Sequence, residues 1–147
     1  VIQTHRDPVK VAVSIASLTA TLRSLGSNDI SLPEVAQDYV DLMAYGNSKT
    51  TAARDAGLIS PDRIIDIQFS EFRKDPVAMV NKVYDFFELV KKPENFSAMD
   101  SFLKAGHESE RHGKHKYNVA DTGLNLETER KRFAQYQQRY GVTTEEF

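Results

Sequence analysis

The chain has 147 residues, 40% of them hydrophobic and 27% charged, with a formal net charge of -2 and no cysteine. That length suits one domain, and the balance of residues is that of a soluble globular protein without the general basic field that attracts nucleic acid. Disulfides, zinc-thiolate sites and cysteine nucleophiles are excluded, which fits a reducing, cytoplasmic compartment. No apolar run approaches the roughly 20 residues that span a bilayer.

Val1–His5 is short, apolar and β-favouring, and it runs into Asp7-Pro8, a helix cap followed by a residue suited to the first turn. Val11, Ile15, Leu18 and Leu22 recur at helical spacing and predict a helix over roughly 8–25, buried on that stripe. Ser31-Leu-Pro-Glu34 has the form of a capping box. It opens a second helix that keeps its period to about Ala56 through Val40, Leu42 and Met43.

Arg63 to Phe69 (RIIDIQF) reads as a second strand, parallel to the first because long helices intervene. Asp75-Pro76 opens another helix with Met79, Val80, Val83, Phe86 and Phe87 on its buried face, and a further helix covers Pro93 to about Ala105. Gly106 to Asn125 is polar, basic and without periodicity, too long for a plain connector. Leu126 to Tyr140 returns to helical spacing with Phe133 and Tyr136. The aromatics Phe86, Phe87, Phe133 and Tyr136 are read as core. Two strands among this many helices make a meagre sheet, so the pattern is that of part of an α/β layered fold with further strands outside the sequence.

Arg6 stands where a strand ends and a helix begins, a place where α/β proteins hold anions and nucleotides. Ser14, on the shoulder of the predicted stripe, faces the inner side of its helix. Spacing alone leaves two readings of this pair open: Arg6 holds a phosphate with Ser14 beside it, or Arg6 pairs with a carboxylate and Ser14 bonds a carbonyl one turn back. Arg111-His112-Gly113-Lys114-His115-Lys116 is the only dense positive cluster and reads either as a phosphate clamp or as a solvated loop. His107, His112 and His115 lack the spacing or the carboxylates of a metal site, so no metal is expected. Gly46-Asn-Ser-Lys49-Thr50 imitates the end of a phosphate-binding loop, but it follows a helical segment and Ser48 replaces the second glycine, so a bend in the second helix is the better reading.

With these residues in hand, the chain resembles the sulfotransferases that use 3'-phosphoadenosine 5'-phosphosulfate (PAPS), in particular a bacterial branch with the segment THRDP, here Thr4 to Pro8. In that family an arginine ending a strand and a serine eight residues later hold the 3'-phosphate, and Arg6 and Ser14 have that spacing. FSEFRKDP from Phe69 to Pro76 looks like the family's YEDLxxDP element, and Arg111-His112-Gly113 looks like its late Arg-Lys-Gly loop on the same phosphate. GKHKYNVADTGL and the following helix ending QQRYGV also look like the end of that branch. Phe69 replaces a tyrosine that helps read the adenine, leaving ring packing. His112 replaces a lysine whose charge Lys114 can restore.

The resemblance implies a P-loop-type, three-layer α/β fold, helix-rich with a few parallel strands. It implies transfer of a sulfuryl group from PAPS to an acceptor hydroxyl or amine, with Arg6, Ser14, Phe69, Arg111, His112, Gly113 and Lys114 as cofactor-binding residues. The family's Gly-rich loop and usual catalytic base precede the THRDP strand, so residues 1–147 are expected to be the C-terminal portion of one sulfotransferase domain, inactive alone, with no catalytic residue assigned. Uncovered strand edges and helix faces predict self-association or a partner chain. The alternatives are another nucleotide enzyme of related fold, such as a small-molecule kinase, or a non-catalytic helical interaction module.

Overall fold

A computed structural model describes residues 1–106 and 118–147. Within them the elements run β1 (Ile2–His5), α1 (Pro8–Arg23), α2 (Leu32–Asp55), β2 (Ile65–Gln68), α3 (Phe69–Lys74), α4 (Pro76–Phe86), α5 (Pro93–Gly106) and α6 (Leu126–Tyr140), with 3-10 turns at Pro61–Arg63 and Val119–Thr122. They form two compact units, one comprising Val1–His5 with 59–106, the other 6–58 with 118–147.

In the first unit β1 and β2 pair in parallel, from Ile2 opposite Ile65 to His5 opposite Gln68. Parallel strands need a long connection, and the helices α1 and α2 lie in it, as expected. Ile64, Ile65 and Ile67 are buried, and so is His5, whose Nε2 lies 2.8 Å from Asp66 Oδ1 on the neighbouring strand. A buried imidazole needs such a partner.

The second strand is shorter than its sequence suggests, because Arg63 closes a 3-10 turn begun at Pro61 and Phe69 opens α3. Phe-Ser-Glu-Phe-Arg-Lys lacks β-branched residues, and its charges suit a helix, with Glu71 in the first turn and Arg73 and Lys74 in the last. Asp75 then caps α4, its Oδ1 accepting the Ala78 N–H at 2.8 Å.

No residue of α4 is fully buried, and Phe86 is exposed, so the expected apolar face of this helix is only half covered. Four-residue strands span about 13 Å, too short to cover a helix of 11 residues. The aromatics of α4 instead turn to nearby rings: Tyr84 meets Phe96 of α5 edge-on with centroids 5.5 Å apart, and Phe86 meets Phe87 at 4.9 Å.

The second unit is built on α1, α2 and α6. Asp7 caps α1 with Pro8 at its first position, and Ser31 Oγ accepts the Glu34 N–H at 3.4 Å to cap α2. Asn125 Oδ1 accepts the Thr128 N–H at 3.1 Å to cap α6. The core is Val9, Ala12 and Val13 of α1, Val40 of α2 and Phe133 of α6, extended by Ala16, Val35 and Ala36.

This differs from the sequence reading of α1. Ile15, Leu18 and Leu22 are 37%, 49% and 58% exposed, while Val9, Ala12, Val13, Ala16 and Ser17 are buried. At 100° per residue the buried face lies about 140° from the predicted stripe. The small side chains of Ala12, Ala16 and Ser17 let α2 approach closely, and close approach rather than side-chain size selects the face. Leu42 likewise points outward from α2, at 61% exposure. Gly46 to Thr50 lies inside the unbroken helix α2, so this segment is no phosphate loop. Of the four aromatics expected in the core only Phe133 is buried; Phe87 and Tyr136 are half-buried and Phe86 is exposed.

Candidate functional site

Arg6 follows the last residue of β1 and precedes α1 by one residue. Between them Asp7 is 1% exposed and uses both carboxylate oxygens. Oδ1 accepts the N–H groups of Val9 and Lys10 at 2.9 and 3.3 Å, and Oδ2 accepts the N–H of Glu145 at 2.8 Å. A cap of this kind is worth about 1 kcal/mol, and here it also ties the end of the chain to the start of α1.

The segment after α6 reaches that point because Gly141 takes a left-handed conformation, φ 66°, which residues with a Cβ rarely adopt and which ends the helix in a sharp reversal. Val142 is buried, its carbonyl 3.4 Å from Gln137 Nε2. The chain then lies across the N-terminal turn of α1. Arg6 donates twice to the Glu145 carboxylate, Nε to Oε1 at 2.7 Å and Nη2 to Oε2 at 2.8 Å. Arg130 Nη2 donates to the Glu145 carbonyl at 3.2 Å, while Lys10 donates its ammonium to the Glu146 carbonyl and lies 4.4 Å above the Phe147 ring. Arg6, Lys10 and Arg130 thus meet one short segment.

The guanidinium of Arg6 presents its side edge to a planar anion in the two-bond fork that carboxylates and phosphates share. The fork is a test of fit: an arginine held this way can take a phosphate oxygen pair in place of the carboxylate. Arg130 Nε is buried with no hydrogen-bond partner, and an unsatisfied donor costs about 1–3 kcal/mol.

Ser14 lies two turns into α1 and is half-buried. Its position about 150° from the centre of the buried face corrects the expectation that it faces the inner side of the helix. Its Cα rises about 9 Å along the axis from Pro8. Phe69 opens α3 in the first unit, after an extended Gln68 that gives no side-chain cap. Arg111, His112, Gly113 and Lys114 lie outside the described residues, as do His107 and His115. Among the described residues no cluster of three or more His, Cys, Asp or Glu could hold a metal ion, and no helix is long and apolar enough to cross a membrane.

A concavity lies between α2 and α6, lined among others by Asn47, Thr51, Tyr136 and Arg132. Its cations already have anions: Arg132 bonds Asp41 and Arg139 bonds Asp55. The hydrogen bond from Arg132 holds the exposed Asp41 carboxyl below its ordinary value. These pairs fasten two helices and offer a phosphate little.

Glu145 was not legible in sequence. It is 139 residues from Arg6 and sits in TTEEF, where nothing in spacing or periodicity marks it. His5 and Asp66 were equally silent as a pair, since strand register decides who faces whom.

Parallel strands joined through helices define an α/β protein, and at its first strand-to-helix junction Arg6 forks onto the Glu145 carboxylate. The model of the sulfotransferase family matches residues 1–94, more than half of the chain, and the chain belongs to that family. The crystal structure of sulfotransferase STF9 from Mycobacterium avium matches with a TM-score of 0.82 and 24% sequence identity, over 99% of this chain and 37% of that one. That likeness is one of fold, and the fold is α/β of the P-loop type. The chain spans little more than a third of the length of that sulfotransferase. No curated protein matches the sequence.

Proposed function

We propose that the chain carries the 3'-phosphate half of a PAPS site in a sulfotransferase, and that residues 1–147 are the C-terminal portion of a single sulfotransferase domain. The observation that carries this reading is the Arg6 guanidinium, offered in anion-binding geometry at the end of β1. Arg6 and Ser14 hold the 3'-phosphate, with Arg111, His112, Gly113 and Lys114 closing on it, and Phe69 packs on the adenine ring. PAPS supplies the sulfuryl group when bound. Its acceptor is a hydroxyl or an amine. The chain's own contribution is to bind and orient the phosphate end of the donor. Membership of the sulfotransferase family supports this reading, and the absence of cysteine supports a cytoplasmic setting. The outward Leu18 and Leu22 of α1 support contact with a further polypeptide, a second copy included.

Calorimetric titration with adenosine 3',5'-bisphosphate, 5'-AMP and ATP at one salt concentration tests the reading. Binding of the bisphosphate at least about tenfold tighter than of 5'-AMP is expected from one added charge-assisted phosphate contact. Preference for ATP would favour a kinase instead, and binding of none would overturn the proposal for this chain.

A further inference from the structure

We propose that the strap of residues 142–147, which follows α6, is a built-in competitor for the nucleotide: the Glu145 carboxylate occupies the forked edge of Arg6, and a phosphate binds there by displacing it. This rests on the assignment of Arg6 to the 3'-phosphate. The fork of 2.7 and 2.8 Å uses the Nε and Nη2 donors that a bidentate phosphate would use. One edge of a guanidinium serves one planar anion at a time, and a carboxylate kept beside an arriving phosphate dianion would repel it.

Among the described residues, the first turn of α1 gives the anion no open backbone donors at Val9 and Lys10. The first amides of α1, Val9 and Lys10, already donate to Asp7, so a helix N-terminus with open N–H groups is not on offer there. The anion is therefore held by side chains rather than by the first amides of α1, and Arg6 brings the two-bond fork.

The strap is built to let go. Its last buried residue is Val142, and from Thr143 onward every residue is exposed or half-buried. Besides the Arg6 fork, its contacts beyond that point include Gln137 Nε2 to Thr144 Oγ1, the Glu145 N–H to Asp7, the Glu145 carbonyl to Arg130, and Lys10 to the Glu146 carbonyl and over the Phe147 ring. Apart from the bond to the buried Asp7, these contacts are at the surface, where polar contacts break one by one at small cost, unlike a packed core. The closed strap also leaves Arg130 Nε buried without an acceptor, so the strapped form is not fully satisfied.

The test is titration of the whole 147-residue chain with adenosine 3',5'-bisphosphate, comparing the unaltered protein, Glu145→Gln and the control Glu146→Gln. Glu145→Gln keeps the size of the side chain but loses the charge, and it is expected to bind about tenfold tighter, while the control is unchanged. A second readout needs no variant: saturating bisphosphate should accelerate cleavage at Glu145 and Glu146 by a glutamate-specific endoprotease, whereas 5'-AMP should not. If the unaltered chain binds the bisphosphate and Glu145→Gln binds equally or more weakly, Glu145 does not compete and the inference is overturned while the phosphate reading stands. If neither protein binds the bisphosphate, both fall. Cleavage of the strap that is unchanged by bound bisphosphate also overturns the inference.

Discussion

Arg6→Ala is expected to weaken adenosine 3',5'-bisphosphate binding by roughly 10- to 150-fold, the equivalent of about 1.5–3 kcal/mol for hydrogen bonds to a charged group. The substitution removes both donors of the fork and the charge behind them, and the amides of α1 are engaged by Asp7. Arg6→Lys keeps the charge without the planar fork and should fall between the two. Stability should change little, because the Arg6 and Glu145 side chains are 30% and 31% exposed and pairs with that much water contact contribute about 1 kcal/mol or less. Calorimetric affinity unchanged in Arg6→Ala, with thermal unfolding also unchanged, would remove Arg6 from the site.

The largest effect on stability is expected at Phe133. Its side chain is 2% exposed and joins α6 to Val9, Ala12 and Val13 of α1 and Val40 of α2. Phe133→Ala removes a ring from a core that residues of all three helices share, and such truncations cost about 3–5 kcal/mol. Against a total of about 5–15 kcal/mol this is a large share. Urea unfolding followed by far-UV circular dichroism should show the midpoint falling sharply, while Phe86→Ala, at a ring already 39% exposed, should shift it far less. Equal shifts in the two variants would mean that the core is not where the packing puts it. The consequence reaches the site, since α6 delivers the strap and α1 delivers Arg6.

What could be read from sequence was what is decided locally. Asp7-Pro8, Ser31 and Asp75 announce helix starts because a cap acts on amides two or three residues away, and each of the three caps as expected. The THRDP segment marked the strand-to-helix junction for the same reason. The buried face of α1 was misjudged because Ile15 and Leu18 are larger than Ala12 and Ala16, while the choice of face lay with a neighbouring helix that prefers small contacts. Phe86 and Phe87 have core composition, yet two four-residue strands give them little to pack on. Glu145 depended on the reversal at Gly141 and on long-range packing, and neither leaves a periodic trace.

The most direct measurement is a crystal structure of the chain with adenosine 3',5'-bisphosphate bound. The 3'-phosphate is expected within about 3 Å of the Arg6 guanidinium nitrogens, with the Ser14 hydroxyl on the same group and the Glu145 carboxylate withdrawn. Nucleotide bound elsewhere, with Arg6 still paired to Glu145, would contradict it.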